Sequence, residues 1–134
     1  MNQTPLPKKL GIKEGARVRL VGAPTAFERS LGSLPDGVTF VRDGRDLDVI
    51  VFFTRGRAEL ERRFESLAGS LQPAGGLWIA WPKKSSGVET DLSQSIVMEI
   101  GLRGDLVDNK NCAIDETWTA LRFVVRKAKR PRQR

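Results

Sequence analysis

Short apolar segments alternate with amphipathic ones along this chain of 134 residues. The most apolar, residues 75–82, opens on a glycine pair, ends at a proline and is followed at once by two lysines. A continuous apolar segment bounded by such residues is typical of a strand that is covered on both faces, as parallel sheets require. Residues 48–53 have the same character, and we predict both segments as central strands.

Three further segments have the spacing of amphipathic helices. Capping-box spacing precedes two of them, at Thr25 with Glu28 and at Asp91 with Gln94. Charged side chains fill the outer face of the helix predicted between residues 57 and 71. The predicted inward positions are Phe27, Leu31 and Leu34, then Leu60, Phe64, Leu67 and Leu71, then Leu92, Ile96 and Ile100.

The remaining strands are predicted at residues 17–21, 38–41, 107–114 and 119–125. The order of strand, helix, strand, strand, helix, strand, helix and hairpin is typical of an α/β fold. We therefore predict three layers around a mostly parallel sheet of about six strands, closed by an antiparallel hairpin.

One connection in this order leaves two alternatives. Residues 42–47 separate the second strand from the third, whereas a parallel crossover usually needs about a dozen residues. The Asp43–Gly44 pair is also typical of a tight hairpin turn. We favour an extended parallel return over an antiparallel hairpin.

The length predicts one α/β domain over residues 1–125. Residues 1–16 are rich in proline, lysine and glycine and indicate an extended lead-in. No segment has the pattern of a signal peptide or a membrane span, which favours a cytoplasmic protein.

The net charge of +7 is concentrated at one end of the chain. Residues 126–134 contain six basic side chains and no acidic one, and subtracting them from +7 leaves about +1 for the rest. A basic segment can hold nucleic-acid phosphates without reading their sequence. The absence of aromatic residues within it favours a disordered, solubilising tail instead. The six residues are Arg126, Lys127, Lys129, Arg130, Arg132 and Arg134.

Missing residue types exclude several kinds of chemistry. The sequence contains no histidine and no tyrosine, so histidine-dependent triads and histidine metal sites are excluded, and we predict no metal site. The single cysteine, Cys112, allows no internal disulfide, in keeping with a reducing compartment, and its strand position favours a small buried side chain.

The carboxyl ends of parallel strands meet at one edge of a sheet, where ligands usually bind. Lysine ammonium groups and hydroxyls predicted at that edge suit phosphate or carboxylate, and two tryptophans could form an apolar wall. We predict a site for a small anionic or nucleotide-like ligand there, without strong catalysis. The candidate ligand-binding residues are Thr54, Trp81, Lys83, Lys84, Ser85, Ser86, Asp115 and Trp118.

The first strand-to-helix loop, residues 22–25, argues against common dinucleotide sites. It contains one glycine, Gly22, where a dinucleotide fingerprint needs three in fixed spacing. Pro24 also removes an N–H group that would face a phosphate. Conventional nicotinamide, flavin and Walker-type sites are therefore not predicted.

Several segments carry a resemblance to known proteins. Residues 10–15, 76–84, 108–110, 115–118 and 121–123 together resemble a family of small bacterial proteins whose domain has no known function. The resemblance covers nearly all the chain up to the basic tail, and it implies no activity.

Residues 71–79, with their Pro-Ala-Gly-Gly approach to a late strand, are similar to class I S-adenosylmethionine-dependent methyltransferases. This looser resemblance implies a shortened Rossmann-like fold and S-adenosylmethionine as the cofactor to test. The glycine-rich loop that holds this cofactor in the family has no counterpart at residues 22–25. A reduced methyltransferase-like enzyme and a nucleic-acid-associated protein are the alternatives to the ligand-binding domain.

Overall fold

The computed structural model describes residues 5–126, and its elements follow the predicted order. The helices are α1 (Leu6–Lys9), α2 (Phe27–Leu31), α3 (Arg57–Ala68) and α4 (Gln94–Gly101), with a 3₁₀ turn at Lys84–Ser86. The strands are β1 (Arg17–Val21), β2 (Thr39–Phe40), β3 (Leu47–Phe53), β4 (Leu71–Pro82), β5 (Leu106–Ala113) and β6 (Trp118–Val125).

The six strands form one sheet in the order β2-β1-β3-β4-β6-β5. The four strands from β2 to β4 are parallel, whereas β6 is antiparallel to both β4 and β5. β2 pairs with β1 and not with β3, so residues 42–47 carry the chain across β1 without a helix. The parallel return is therefore confirmed, and the hairpin alternative is wrong.

Side chains alternate between the two faces of the sheet and fill two cores. On one face, Phe52 and Ile79 pack with α3 and α4. On the other, Val51 and Trp78 pack with the N-terminal segment and α2. The molecule thus has the predicted three layers, with the sheet in the middle.

The N-terminal segment differs from the predicted extended lead-in. Residues 6–9 form α1, with a proline in the first turn, where its missing N–H costs nothing. Leu10 and Ile12 are buried, and the Trp78 indole N–H donates to the Leu10 carbonyl at 2.9 Å. This hydrogen bond joins the segment to the centre of the sheet.

Neither predicted capping box forms. α2 begins after Ala26 and has no side-chain cap, because the Phe27 N–H already donates to the Pro24 carbonyl. α4 begins after Ser93, whose hydroxyl accepts from the Ile96 N–H at 3.3 Å. The α4 face that is turned inward includes Val97, which the spacing missed.

α3 also ends earlier than predicted, at Ala68, and Leu71 begins β4 instead. None of the helices within residues 5–126 is long and apolar enough to cross a membrane. Most of the predicted basic tail lies outside the described residues. Its first member, Arg126, donates its backbone N–H to the Asp105 carbonyl at 3.0 Å.

Candidate functional site

Four segments meet at the carboxyl ends of the parallel strands, and we call them the carboxyl rim: residues 22–26, 54–56, 83–86 and 115–118. Pro82 pairs with Trp118, and the Lys83 N–H donates to the Thr117 carbonyl at 2.7 Å. The Thr54 N–H donates to the Ala80 carbonyl at 3.0 Å. The structure therefore brings together the loops in which the candidate residues lie, while ligand binding by them stays a prediction.

The hydroxyl of Thr54 has partners within the protein. Thr54 is only 3% exposed, and its Oγ1 donates to the Glu59 carboxylate at 2.6 Å. The same oxygen accepts from the Gly56 N–H at 3.3 Å. Thr54 therefore joins β3 to the start of α3, and a ligand could use its hydroxyl only by displacing these groups.

The loop after β4 presents its lysines differently from its serines. The Ser86 hydroxyl donates to the Lys83 carbonyl at 2.6 Å and accepts from the Val88 N–H at 3.2 Å, so it stabilises the turn itself. Lys84 and Ser85 are exposed, and Lys83 is half-buried. Lys83 and Lys84 are thus the charged groups of this loop that a ligand could reach.

Asp115 closes the turn between β5 and β6. One of its carboxylate oxygens accepts from the N–H groups of both Thr117 and Trp118, each at 2.8 Å. Short side-chain acceptors of this kind stabilise turns locally. The geometry gives Asp115 a structural role at the rim.

The two tryptophans do not form the predicted wall. Trp81 packs in the core beneath α3 and α4, whereas Trp118 packs against the core on the opposite face. The cause is strand alternation, since Trp118 is opposite Pro82 and not opposite Trp81. Trp118 instead contacts Phe53 edge-to-face, with 5.1 Å between ring centroids.

The N-terminus of α3 also faces this end of the sheet, and a carboxylate of the protein occupies it. The Asp91 carboxylate accepts from the Arg57 N–H at 2.8 Å, and the Thr90 hydroxyl donates to the Arg55 carbonyl at 2.6 Å. Helix N-termini attract anions, so Asp91 takes the place that an anionic ligand would otherwise find there.

No family model matches the chain, and no curated protein matches it in sequence. The resemblance to a family of unknown function therefore gains no support. Solved structures, by contrast, are similar in fold. A candidate type 11 methyltransferase from Sulfolobus solfataricus has a TM-score of 0.66 at 12% identity, over 96% of this chain and 94% of that chain.

Two further solved structures have a similar fold. The complex of DhpI with SAH has a TM-score of 0.62 at 12% identity, over 90% of this chain and 82% of that chain. A SAM-dependent methyltransferase from Aquifex aeolicus has a TM-score of 0.54 at 16% identity, over 90% and 88%. The chain therefore has the Rossmann-like fold of class I S-adenosylmethionine-dependent methyltransferases. At these identities the likeness establishes the fold alone.

The first rim loop does not fit the glycine-rich cofactor loop that the fold implies. Gly22 adopts φ +69°, and a Cβ added to it would lie 2.8 Å from the Phe53 carbonyl oxygen, so this glycine serves close packing of β1 against β3. Pro24 offers no N–H, and α2 has only five residues. No chemical step on S-adenosylmethionine is therefore assigned to the residues of this loop.

Sequence reasoning missed three cavities that lie away from the rim. The largest, about 650 Å³, lies between α3 and α4. At its edge the Arg103 guanidinium donates to the Glu61 carboxylate at 2.8 Å, which lowers the pKa of Glu61 and raises that of Arg103.

The second cavity, of about 380 Å³, lies near the amino ends of β3 and β4, and we call it the amino-end cavity. A third, of about 490 Å³, adjoins it and shares Lys9 and Lys110 with it. An arginine inside an otherwise apolar strand, at Arg122, is the sequence signal that could have indicated the amino-end cavity. The charged residues that line it are Lys9, Lys13, Glu14, Asp48, Lys110 and Arg122.

Proposed function

We propose that this chain is a reduced methyltransferase-like domain whose carboxyl rim binds a small anionic or nucleotide-like ligand. The observation that carries the proposal is the fold, which matches S-adenosylmethionine-dependent methyltransferases over nearly the whole chain. In open α/β sheets of this kind, ligands bind outside the carboxyl ends of the strands, where the strand order reverses. That reversal lies between β1 and β3, beside residues 54–56.

The small size of the domain is compatible with this proposal. The chain covers 94% of the Sulfolobus solfataricus structure, so a neighbour of nearly equal length has the same short version of the fold. Methyl transfer is for that reason the second candidate function. Binding without methyl transfer is favoured, because the rim groups that a ligand could reach are the Lys83 and Lys84 ammonium groups, whereas Thr54, Ser86 and Asp115 bond within the protein and offer no free acid or base.

Isothermal titration calorimetry on the full chain tests the proposal, with S-adenosylmethionine, S-adenosylhomocysteine and adenosine monophosphate as separate probes. We expect at least one probe to bind, and Lys83→Ala with Lys84→Ala to weaken that binding about tenfold, since two cations near an anionic group are removed. The matched control is Arg42→Ala with Arg62→Ala, which removes the same charge from exposed positions outside the rim.

Absence of heat with every probe at millimolar concentration would overturn the proposal. Equal weakening by both double variants would assign the effect to net charge rather than to the rim, and would also count against it. Transfer of a labelled methyl group from S-adenosylmethionine to any acceptor would favour the enzymatic alternative instead.

A further inference from the structure

The amino-end cavity concentrates positive charge in a protein whose body is almost neutral. Residues 1–125 carry about +1 in total, since six of the seven net charges lie in residues 126–134. The cavity is nevertheless lined by four cationic side chains and only two carboxylates. These six charged residues come from four separate parts of the chain, so only folding brings their charges together.

The two carboxylates offset only part of this positive charge. Both oxygens of Asp48 are already engaged, one with the Arg17 N–H at 2.8 Å and the other with the Gln72 side-chain amide at 3.1 Å. Within residues 5–126, no ion pair within 4.0 Å engages Lys9, Lys13 or Lys110. Like charges around one cavity repel each other, and a bound anion relieves that repulsion.

Arg122 is held at the cavity by a specific feature of the neighbouring strand. It lies on β6 opposite Trp78, and its guanidinium extends over Gly76 of β4. A Cβ added to Gly76 would lie 2.7 Å from the guanidinium carbon of Arg122, so any larger residue would displace the group. The glycine therefore provides the space in which the planar, permanently charged guanidinium lies.

Lys9 and Lys110 also act together at the adjoining third cavity. They belong to α1 and β5, and both line the adjoining third cavity with Cys112. Burial raises the pKa of the Cys112 thiol, and the two ammonium groups oppose that rise. Their positive field thus converges on one place, from elements that are about a hundred residues apart in the sequence.

We propose that the amino-end cavity is a binding site for the phosphate group of a small ligand, with Arg122, Lys9, Lys13 and Lys110 as the groups that contact it. A guanidinium with adjacent ammonium groups suits phosphate oxygens, which accept several charge-assisted hydrogen bonds at once. The volume of about 380 Å³ is that of a small-ligand pocket. Glu14 and Asp48 at its margin disfavour a long polyanion and so favour a small ligand over a nucleic acid.

Pyrophosphate titrated into the full chain at low salt, followed by calorimetry, tests this site. We expect Lys9→Ala with Lys110→Ala to weaken binding about tenfold, because two charge-assisted contacts are lost. Arg42→Ala with Arg62→Ala is the matched control and should leave the pyrophosphate affinity within about twofold, because these exposed arginines carry the same charge and do not line the cavity. The basic tail is the same in all three proteins, so it does not contribute to the difference.

Gly76→Ala is the second variant, since it displaces Arg122 without removing any charge. We expect it to weaken pyrophosphate binding severalfold while circular dichroism shows an intact fold. Failure of wild-type protein to bind pyrophosphate, or an equal loss in Lys9→Ala with Lys110→Ala and in Arg42→Ala with Arg62→Ala, would overturn the proposal. Binding of a single-stranded oligonucleotide that Lys9→Ala with Lys110→Ala weakens as much as it weakens pyrophosphate binding would overturn the small-ligand assignment as well. Failure of the rim proposal leaves these outcomes unchanged, because the two sites share no residue.

Discussion

The two ends of the sheet use their polar groups in opposite ways. At the carboxyl rim, Thr54, Ser86 and Asp115 bond to neighbouring parts of the protein, and Asp91 occupies a helix N-terminus. At the amino-end cavity, four cations and two carboxylates line one space. The comparison indicates which charged groups a ligand could reach at each end: Lys83 and Lys84 at the rim, and the cations that line the amino-end cavity.

The largest effect that we predict tests whether the close packing of β1 against β3 at the rim is rigid. Gly22→Ala would place a Cβ 2.8 Å from the Phe53 carbonyl oxygen, at a backbone φ of +69° that alanine disfavours. Because backbone atoms on both sides must move, we expect a loss of about 2–4 kcal/mol in the free energy of unfolding. Urea denaturation followed by circular dichroism measures it.

Gly104→Ala is the control for this variant. No atom lies within 4 Å of a Cβ added there, so the free energy of unfolding should change by less than about 0.5 kcal/mol. If Gly22→Ala and Gly104→Ala lowered the free energy of unfolding equally, the packing of β1 against β3 at Gly22 would be loose. The rim loop could then rearrange around a cofactor, and the contrast between the two ends would disappear.

The fold was largely predictable because the sequence patterns that indicate its strands and helices are local and repeated. The apolar segments at residues 48–53 and 75–82 indicated buried parallel strands, and the short link between residues 114 and 118 indicated the antiparallel closure. What the pattern could not predict is α1, since the chain that follows it is held by a hydrogen bond from Trp78, far along the sequence, to the Leu10 carbonyl. Tertiary contacts decide such short elements.

The candidate site was less predictable for two physical reasons. Sequence spacing places Trp81 and Trp118 near the same edge, but the side of the sheet on which each lies depends on pairing register. Hydrogen-bond partners are also invisible in the sequence, so a serine that closes its own turn looks like one that could bind a ligand. The amino-end cavity depends on Arg122 lying over Gly76, a pairing that only the register between β4 and β6 produces.

A second, smaller effect concerns the start of α3. Asp91→Ala removes the carboxylate that accepts from the Arg57 N–H, which should lower the free energy of unfolding by about 1 kcal/mol. Asp91→Asn keeps an acceptor oxygen and should cost less. Glu89→Ala, in the same loop, removes an equal charge for which no hydrogen bond is seen within residues 5–126, and should be nearly neutral. Equal losses of unfolding free energy for Asp91→Ala and Glu89→Ala would show that the Asp91 carboxylate does not stabilise the start of α3.

The smallest effect compares the electrostatic fields of the two ends at one atom, the Cys112 sulfur. Burial raises the pKa of this thiol, so alkylation by iodoacetamide should be slower than for an unfolded chain and should accelerate as the pH rises, because the thiolate is the reactive form. Lys9 and Lys110 stabilise the thiolate, and Lys9→Ala with Lys110→Ala should therefore raise the pKa further and shift the rate profile to higher pH. Lys83→Ala with Lys84→Ala removes the same charge at the rim and should leave the profile in place. An equal shift in both double variants would mean that net charge alone governs the thiol, and that Lys9 and Lys110 exert no local field on it.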